Sequence, residues 1–123
     1  MKSLSCIFPC PDIIKTANFY KDMLGFTYVQ YLDVAEPHIC LYRDNIEIIL
    51  LKSNKKVIPN RILYGYGYDA YVYTDKQDRF LEEFKNKGVK IIKDLSIKDY
   101  NNKEFVIEDF DGRHIAFGLK ITN

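Results

Sequence analysis

The stretch DIIKTANFYKDMLGF, residues 12–26, has a counterpart 63 positions later in DKQDRFLEEFKNKGV, residues 75–89. Each stretch begins with an aspartate, Asp12 or Asp75, and reaches a glycine, Gly25 or Gly88, at the same distance. An aspartate at a helix start accepts hydrogen bonds from exposed N–H groups, and a glycine fits the left-handed position that ends a helix. The sequence therefore predicts two helices at equivalent places in an internal repeat.

The segments around both helices repeat as well. An apolar stretch precedes each helix, at residues 4–8 and 69–73, and three strand-like runs follow it. These runs are 26–32, 38–43 and 46–51 in the first half, and 89–95, 103–110 and 114–121 in the second. The turn signals Asp44-Asn45 and Asp111-Gly112 separate the last two runs of each half. Each half therefore predicts a β-α-β-β-β module, with module 1 at about residues 1–53, a linker at 54–66 and module 2 at about 67–123.

Composition fits one domain with a substantial core. The chain has 123 residues, of which 47% are apolar, and its 18 basic and 17 acidic residues nearly cancel. This charge balance gives no footprint for nucleic acid, and no apolar run is long enough to span a membrane. Three cysteines do not make a disulfide framework, and the N-terminus lacks the pattern of a signal peptide. We expect a cytoplasmic protein without nucleic-acid or membrane partners.

The order of these motifs resembles the vicinal oxygen chelate superfamily, which includes the glyoxalase and bleomycin resistance proteins. PDIIKTANFYKDMLGF at 11–26 is similar to the first helix of that family, and EDFDGRHIAFG at 108–118 to its final hairpin. DAYVYTDKQDRFLEEFKNKGVKI at 69–91 is similar to its second-module strand and helix. The resemblance implies an α+β fold in which two βαβββ modules form a curved, incomplete-barrel mixed sheet with the helices outside. It also implies a ligand groove, usually completed in a homodimer.

The same resemblance implies four metal-ligand positions, which fall on Ser5, Glu47, Tyr68 and Ala116 of this chain. Only Glu47 is an ordinary ligand, since alanine has no donor atom and the hydroxyls of serine and tyrosine are poor ones. We therefore expect no metal and no other cofactor, which argues against the metal-dependent activities of the family. A zinc site built from His38, Cys40 and the cysteines Cys6 and Cys10 is an alternative. The competing interpretation is that Cys6 and Cys40 are small core residues.

Strand alternation assigns the side chains that would line the groove. Ser5 and Glu47 share one face in the first module, and Tyr68, Ala70 and Val72 share one in the second. At the last strand, Ala116 and Gly118 are expected to leave open space. Tyr64 and Tyr66 alternate with glycines and could stack on a flat ligand, or pack at the module junction or a dimer interface. The candidate ligand-binding residues are Ser5, His38, Cys40, Tyr42, Glu47, Ile49, Tyr64, Tyr66, Tyr68, His114 and Ala116.

Three functions are compatible with this pattern. The first is a binding protein of the bleomycin resistance type, which would bind or sequester an aromatic ligand or antibiotic without a metal. Bleomycin itself is disfavoured, because a partner for such a cationic drug should be acidic. The second is a lyase, isomerase or other enzyme of the superfamily, with or without a non-standard metal site. Glu47 would be its general base and Tyr68 or His114 its acid. The third is an interaction module with a vestigial groove.

Overall fold

The computed structural model describes residues 1–122 and divides into two compact units, one up to Val57 and one from Ile58 onward. Unit 1 contains β1 (Cys6–Cys10), α1 (Ile13–Leu24), β2 (Thr27–Tyr31), β3 (His38–Arg43) and β4 (Ile46–Lys52). Unit 2 contains α2 (Asn60–Tyr64), β5 (Ala70–Tyr73), α3 (Gln77–Lys87), β6 (Lys90–Ile97), β7 (Asn102–Glu108) and β8 (His114–Lys120). Both predicted βαβββ modules are confirmed, and the fold class is α+β.

Each unit folds its strands into a mixed four-stranded sheet. The strand order is β1-β4-β3-β2 in unit 1 and β5-β8-β7-β6 in unit 2. In both sheets the strand before the long helix pairs in parallel with the last strand of the unit. The other pairs are antiparallel, which agrees with the turn signals between them.

The ends of the long helices follow the predicted signals in three of four places. The Asp12 side chain accepts a hydrogen bond from the backbone N–H of Lys15, as expected of an N-terminal cap. Gly25 and Gly88 end their helices with φ of 75° and 83°, a conformation that favours glycine. The expectation at Asp75 is wrong, because Lys76 occupies the cap position and makes no side-chain hydrogen bond there.

The predicted linker contains the short helix α2, which is fastened to unit 2. The backbone N–H of Asn60 donates to Asp69 Oδ1 over 2.9 Å, and its side chain donates to the Tyr68 carbonyl over 3.0 Å. Arg61 donates to the carbonyl of Gly112 over 2.7 Å, in the turn between β7 and β8. These hydrogen bonds explain why a polar, glycine-containing segment has a defined conformation.

The helices bury one face of each sheet. In unit 1, α1 buries Tyr20 and Leu24 in the same core as Ile39, Leu41 and Leu50 of the sheet. In unit 2, Phe84 of α3 lies 6.1 Å from Phe105 and 5.3 Å from Phe117, measured between ring centroids. Side chains alternate along strands, so the neighbours of these core residues point to the opposite sheet face.

No helix within residues 1–122 is long and apolar enough to cross a membrane.

Candidate functional site

The sheet face of unit 1 that α1 leaves uncovered carries three of the predicted site residues in mutual contact. Glu47 lies directly opposite Tyr42 in the pairing of β3 with β4. The Ser5 hydroxyl, just before β1, donates a hydrogen bond to Glu47 Oε1. The Tyr42 hydroxyl bonds the same carboxylate. Unit 1 therefore holds a carboxylate between two hydroxyl donors.

These bonds keep Glu47 ionised. The hydrogen bond from Ser5, followed by that from Tyr42, lowers the pKa of the Glu47 carboxyl below its usual value. The reciprocal bond to Glu47 raises the pKa of the Tyr42 hydroxyl, which stays protonated. Within residues 1–122, Glu47 takes part in no salt bridge. A carboxylate can accept about four hydrogen bonds, so Glu47 retains acceptor capacity.

The surroundings of this carboxylate are apolar and open. On the same face by strand register lie Ile7, Val29, Tyr31, Tyr42 and Leu51, which are between 38% and 57% exposed. His38 stacks on the ring of Tyr31 at a centroid distance of 4.9 Å, whereas Cys40 is buried. We call this surface the Glu47 face: Ser5, Ile7, Val29, Tyr31, His38, Cys40, Tyr42, Glu47, Ile49 and Leu51.

The corresponding face of unit 2 contains a buried carboxylate that the sequence analysis missed. Glu104 is fully buried and accepts hydrogen bonds from three tyrosine hydroxyls. Tyr68 donates to Oε2 over 2.8 Å, and Tyr71 and Tyr100 donate to Oε1 over 2.8 and 2.6 Å. Asn102 donates to the Tyr71 hydroxyl over 2.8 Å. Of these residues, only Tyr68 was among the candidates.

The tyrosines of this network are held protonated. Burial, and then the bond to Glu104, raises the pKa of both Tyr68 and Tyr100. Burial is also the main reason that the pKa of Tyr71 rises to about 12. The ammonium group of Lys93 lies 5.3 Å from the centroid of the Tyr68 ring, which is within cation–π range.

The predicted orientation of β5 is wrong by one residue. Ala70 pairs with Ile115, on the helix side of the sheet, and Tyr71 pairs with Ala116. Tyr71 and Tyr73 therefore take the face that had been assigned to Ala70 and Val72. Alternation counted from Tyr68 failed because the chain bends at Asp69, so it is not extended between Tyr68 and β5. Tyr68 precedes the strand and reaches Glu104 independently of the alternation.

The open space expected at the last strand is filled. Ala116 and Gly118 are both buried. A Cβ atom added at Gly118 would lie 2.5 Å from the Tyr71 hydroxyl oxygen and 2.6 Å from Glu104 Cβ. The missing side chain of Gly118 is thus what allows Tyr71 to reach the carboxylate.

His114 belongs to a group of ion pairs. Its Nε2 lies 3.2 Å from Glu108 Oε1, and Lys90 and Arg61 lie 3.2 and 3.5 Å from the same carboxylate. Burial raises the pKa of the Glu108 carboxyl, but hydrogen bonds from Lys90 and His114 outweigh it, and the net pKa is lowered. Among the other candidates, Tyr64 and Tyr66 are exposed, and neither ring makes a hydrogen bond or ring contact within residues 1–122.

In the described part of the chain, no three histidine, cysteine, aspartate or glutamate side chains are placed to hold a metal ion. Cys10 is buried, with its thiol 3.3 Å from the Phe8 carbonyl, and Cys6 is exposed rather than a core residue. The alternative zinc site at His38 and Cys40 therefore lacks the further ligands it would need.

Alternation along β7 was the signal that could have revealed Glu104. Phe105 and Ile107 are the apolar residues that face α3, so Glu104 must point to the opposite face of the same strand. A charged residue beside Val106 on that face predicts that other polar side chains lie close enough to hydrogen-bond with it. Tyr100 is only four residues away, but Tyr68 and Tyr71 lie 36 and 33 positions before Glu104, so local spacing could not assign them to it.

Comparison with known proteins agrees with this architecture. The sequence model of the Glyoxalase/Bleomycin resistance protein/Dioxygenase superfamily matches residues 3–117. Among solved structures, a bleomycin resistance determinant encoded on the transposon Tn5 aligns with a TM-score of 0.76 at 16% identity, over 99% of this chain and 100% of that one. TioX from Micromonospora sp. ML1 aligns with a TM-score of 0.71 at 12% identity, over 97% and 100%.

The fosfomycin resistance protein FosX from Listeria monocytogenes aligns with a TM-score of 0.69 at 15% identity, over 98% of this chain and 94% of that one. No curated protein sequence matches the chain. At these identities the structural likenesses establish the fold, and the match of the family model over most of the sequence establishes descent. The chain belongs to the glyoxalase/bleomycin resistance protein/dioxygenase superfamily.

Proposed function

We propose that the protein binds a small, flat organic molecule on the Glu47 face, without a metal ion. The observation that carries this proposal is an ionised carboxylate, fixed by Ser5 and Tyr42, at one end of an exposed apolar surface. Small-molecule sites typically combine apolar lining with a few fixed polar groups. Aromatic and aliphatic side chains would contact the body of the ligand, and Glu47 would accept a hydrogen bond from it.

The ionised state of Glu47 favours binding over catalysis. An efficient general base has a pKa near the working pH, whereas hydrogen bonds from Ser5 and Tyr42 move the pKa of Glu47 further below neutrality. The same bonds fix the carboxylate as a hydrogen-bond acceptor. The bleomycin and fosfomycin resistance proteins of the same fold make antibiotics a sensible first group of test compounds, beside other planar aromatic molecules.

The first prediction concerns the role of Glu47 in binding. A planar ligand found by thermal-shift screening in the presence of EDTA should lose affinity about 10-fold or more when Glu47→Gln removes the charged acceptor. Tyr42→Phe should weaken binding less, since it removes only one of the two bonds that hold the carboxylate. Calorimetric titration of each variant measures the change. Glu82→Gln on the exposed side of α3 is the matched control and should bind like the native protein.

Two results would contradict this proposal. One is unchanged affinity in Glu47→Gln, provided that its circular dichroism shows a native fold. The other is loss of all ligand binding on addition of EDTA, which would imply a required metal ion.

We also propose that the protein is a homodimer. The segment around α2 exposes the apolar side chains Ile58, Ile62, Leu63, Tyr64 and Tyr66, and contiguous exposed apolar residues often mark protein interfaces. Light scattering at micromolar concentration should give twice the chain mass, and Leu63→Asp should shift the equilibrium towards monomer. A native protein that is monomeric at that concentration would refute the dimer. A cytoplasmic location stays a prediction.

A further inference from the structure

The carboxylate of Glu104 is buried, and residues 1–122 supply no ion-pair partner for it. Three neutral hydroxyls donate to it, and within residues 1–122 no lysine, arginine or histidine forms a salt bridge with it. A buried ion without a countercharge is costly, even when its hydrogen bonds are made. Its surroundings therefore attract positive charge.

The tyrosine rings connect the buried carboxylate to the surface of the unit. Each hydroxyl that donates to the carboxylate becomes more polarised, which makes its ring more electron-rich and a better partner for a cation. The Tyr71 ring lies 4.9 Å from that of Tyr73 and 6.5 Å from that of Tyr68, between centroids. Tyr73 and Tyr100 are exposed, so the rings reach solvent while the carboxylate does not. We call Tyr68, Tyr71, Tyr73 and Tyr100 the tyrosine cluster.

The side chain of Lys93 already places a cation against this surface. The Lys93 ammonium lies 5.3 Å from the Tyr68 ring centroid, and Lys93 forms no salt bridge in the described part of the chain. Strand pairing places Lys93 opposite Val106, on the sheet face that also carries Glu104. The ammonium of Lys120 binds the Tyr100 carbonyl over 2.9 Å, at the edge of the same cluster. Lys93 is long and exposed, so another cation can replace its ammonium.

We propose that the tyrosine cluster is a binding site selective for organic ammonium cations such as trimethylammonium groups. It lies in unit 2, uses residues other than those of the Glu47 face, and recognises charge rather than a flat apolar body. Aromatic rings near a negative charge suit a quaternary ammonium, which cannot donate hydrogen bonds. The ligand cation exchanges with Lys93 at the rings.

Choline and its uncharged tert-butyl analogue test this site directly. Both probes have the same shape, and only choline carries the charge. In amide NMR titrations, choline should cause saturable shifts around the tyrosine cluster at roughly millimolar concentration, as expected of a small exposed cation site. The analogue should cause none at the same concentration. Glu47→Gln should leave the choline shifts unchanged, which separates this site from the proposed function.

The substitution Lys93→Ala gives the sharpest readout. It removes the competing ammonium, so choline should bind about threefold more tightly, whereas a merely structural role of the lysine predicts no gain. Lys87→Ala, at an exposed lysine of α3, is the control and should bind like the native protein. Glu104→Gln should weaken choline binding. If that variant does not fold, the comparison of Lys93→Ala with Lys87→Ala still tests the proposal. Equal binding of choline and its analogue, choline shifts at the Glu47 face alone, or unchanged affinity in Lys93→Ala would overturn the proposal.

Discussion

Replacing Gly118 with alanine should cost about 3 kcal/mol of folding stability, the sum expected for an overpacked core position and a disrupted buried hydrogen bond. The added Cβ would lie 2.5 Å from the Tyr71 hydroxyl oxygen, 2.6 Å from Glu104 Cβ and 2.8 Å from the Lys103 carbonyl oxygen. Two of these neighbours are a backbone atom and an atom fixed to the backbone, so they cannot rotate away. The Tyr71 ring must move, and its hydroxyl then leaves Glu104.

Urea unfolding followed by circular dichroism measures this loss. Gly65→Ala is the control, since Gly65 has φ of 88° and nothing within 4 Å of an added Cβ. That change should cost only the backbone strain of about 1 kcal/mol. Adding Gly118→Ala to a Tyr71→Phe protein should cost less than it does in the native protein, because the closest clash is already gone. If Gly118→Ala were as mild as Gly65→Ala, Tyr71 would not be packed against this glycine as described.

Local signals were enough to predict the two βαβββ modules. Asp12, Gly25 and Gly88 act within one helix turn of their own positions, and the turn at Asp111-Gly112 joins neighbouring strands. Such short-range effects repeat in both halves of the chain, so the internal repeat could be read without knowing any tertiary contact. Asp75 failed as a cap because α3 begins one residue later than the repeat suggested. That local shift leaves the topology unchanged.

The candidate site was only partly predictable. Alternation along strands β3 and β4 correctly brought Tyr42 and Glu47 to one face, since these strands are regular and joined by a tight turn. That Glu47 forms no salt bridge with any of residues 1–122 depends on the three-dimensional position of every charge, which no local pattern encodes. In unit 2, the bend at Asp69 interrupts the alternation between Tyr68 and β5, so Ala70 rather than Tyr71 was predicted on the face of Ala116.

The hydrogen-bond network around Glu104 could not be predicted from the sequence, for a different reason. Its hydrogen bonds from Tyr68 and Tyr71 join residues 36 and 33 positions apart, and the bond from Tyr71 depends on the room that Gly118 leaves between the strands. A glycine in a strand predicts that something approaches closely, but not what approaches. The contact of Tyr71 with Glu104 and Gly118 can be predicted only when the pairing of β5, β7 and β8 is known.

The tyrosine network should also make the protein sensitive to alkaline pH. The folded state raises the pKa of Tyr71 to about 12, chiefly through burial, and raises those of Tyr68 and Tyr100 as well. In the unfolded chain these hydroxyls have an ordinary pKa of about 10. The folded state therefore holds these protons more tightly, so the contribution to stability is fully present below pH 10. It is lost as the pH rises through about 12.

Ultraviolet absorbance of tyrosinate, recorded beside circular dichroism, should separate the two events that this linkage predicts. The hydroxyls of Tyr68, Tyr71 and Tyr100 should ionise together with unfolding, so the last part of the tyrosinate signal should rise as the dichroism signal is lost. Glu104→Gln removes the negative charge that resists ionisation of its neighbours, so in that variant Tyr68, Tyr71 and Tyr100 should titrate at lower pH than in the native protein. Glu82→Gln should titrate as the native protein does. If all ten native tyrosines ionised in a single transition at their ordinary pKa with the fold intact, the hydroxyls could not be holding the Glu104 carboxylate as the structure shows, because that bond must be broken before the phenol can lose its proton.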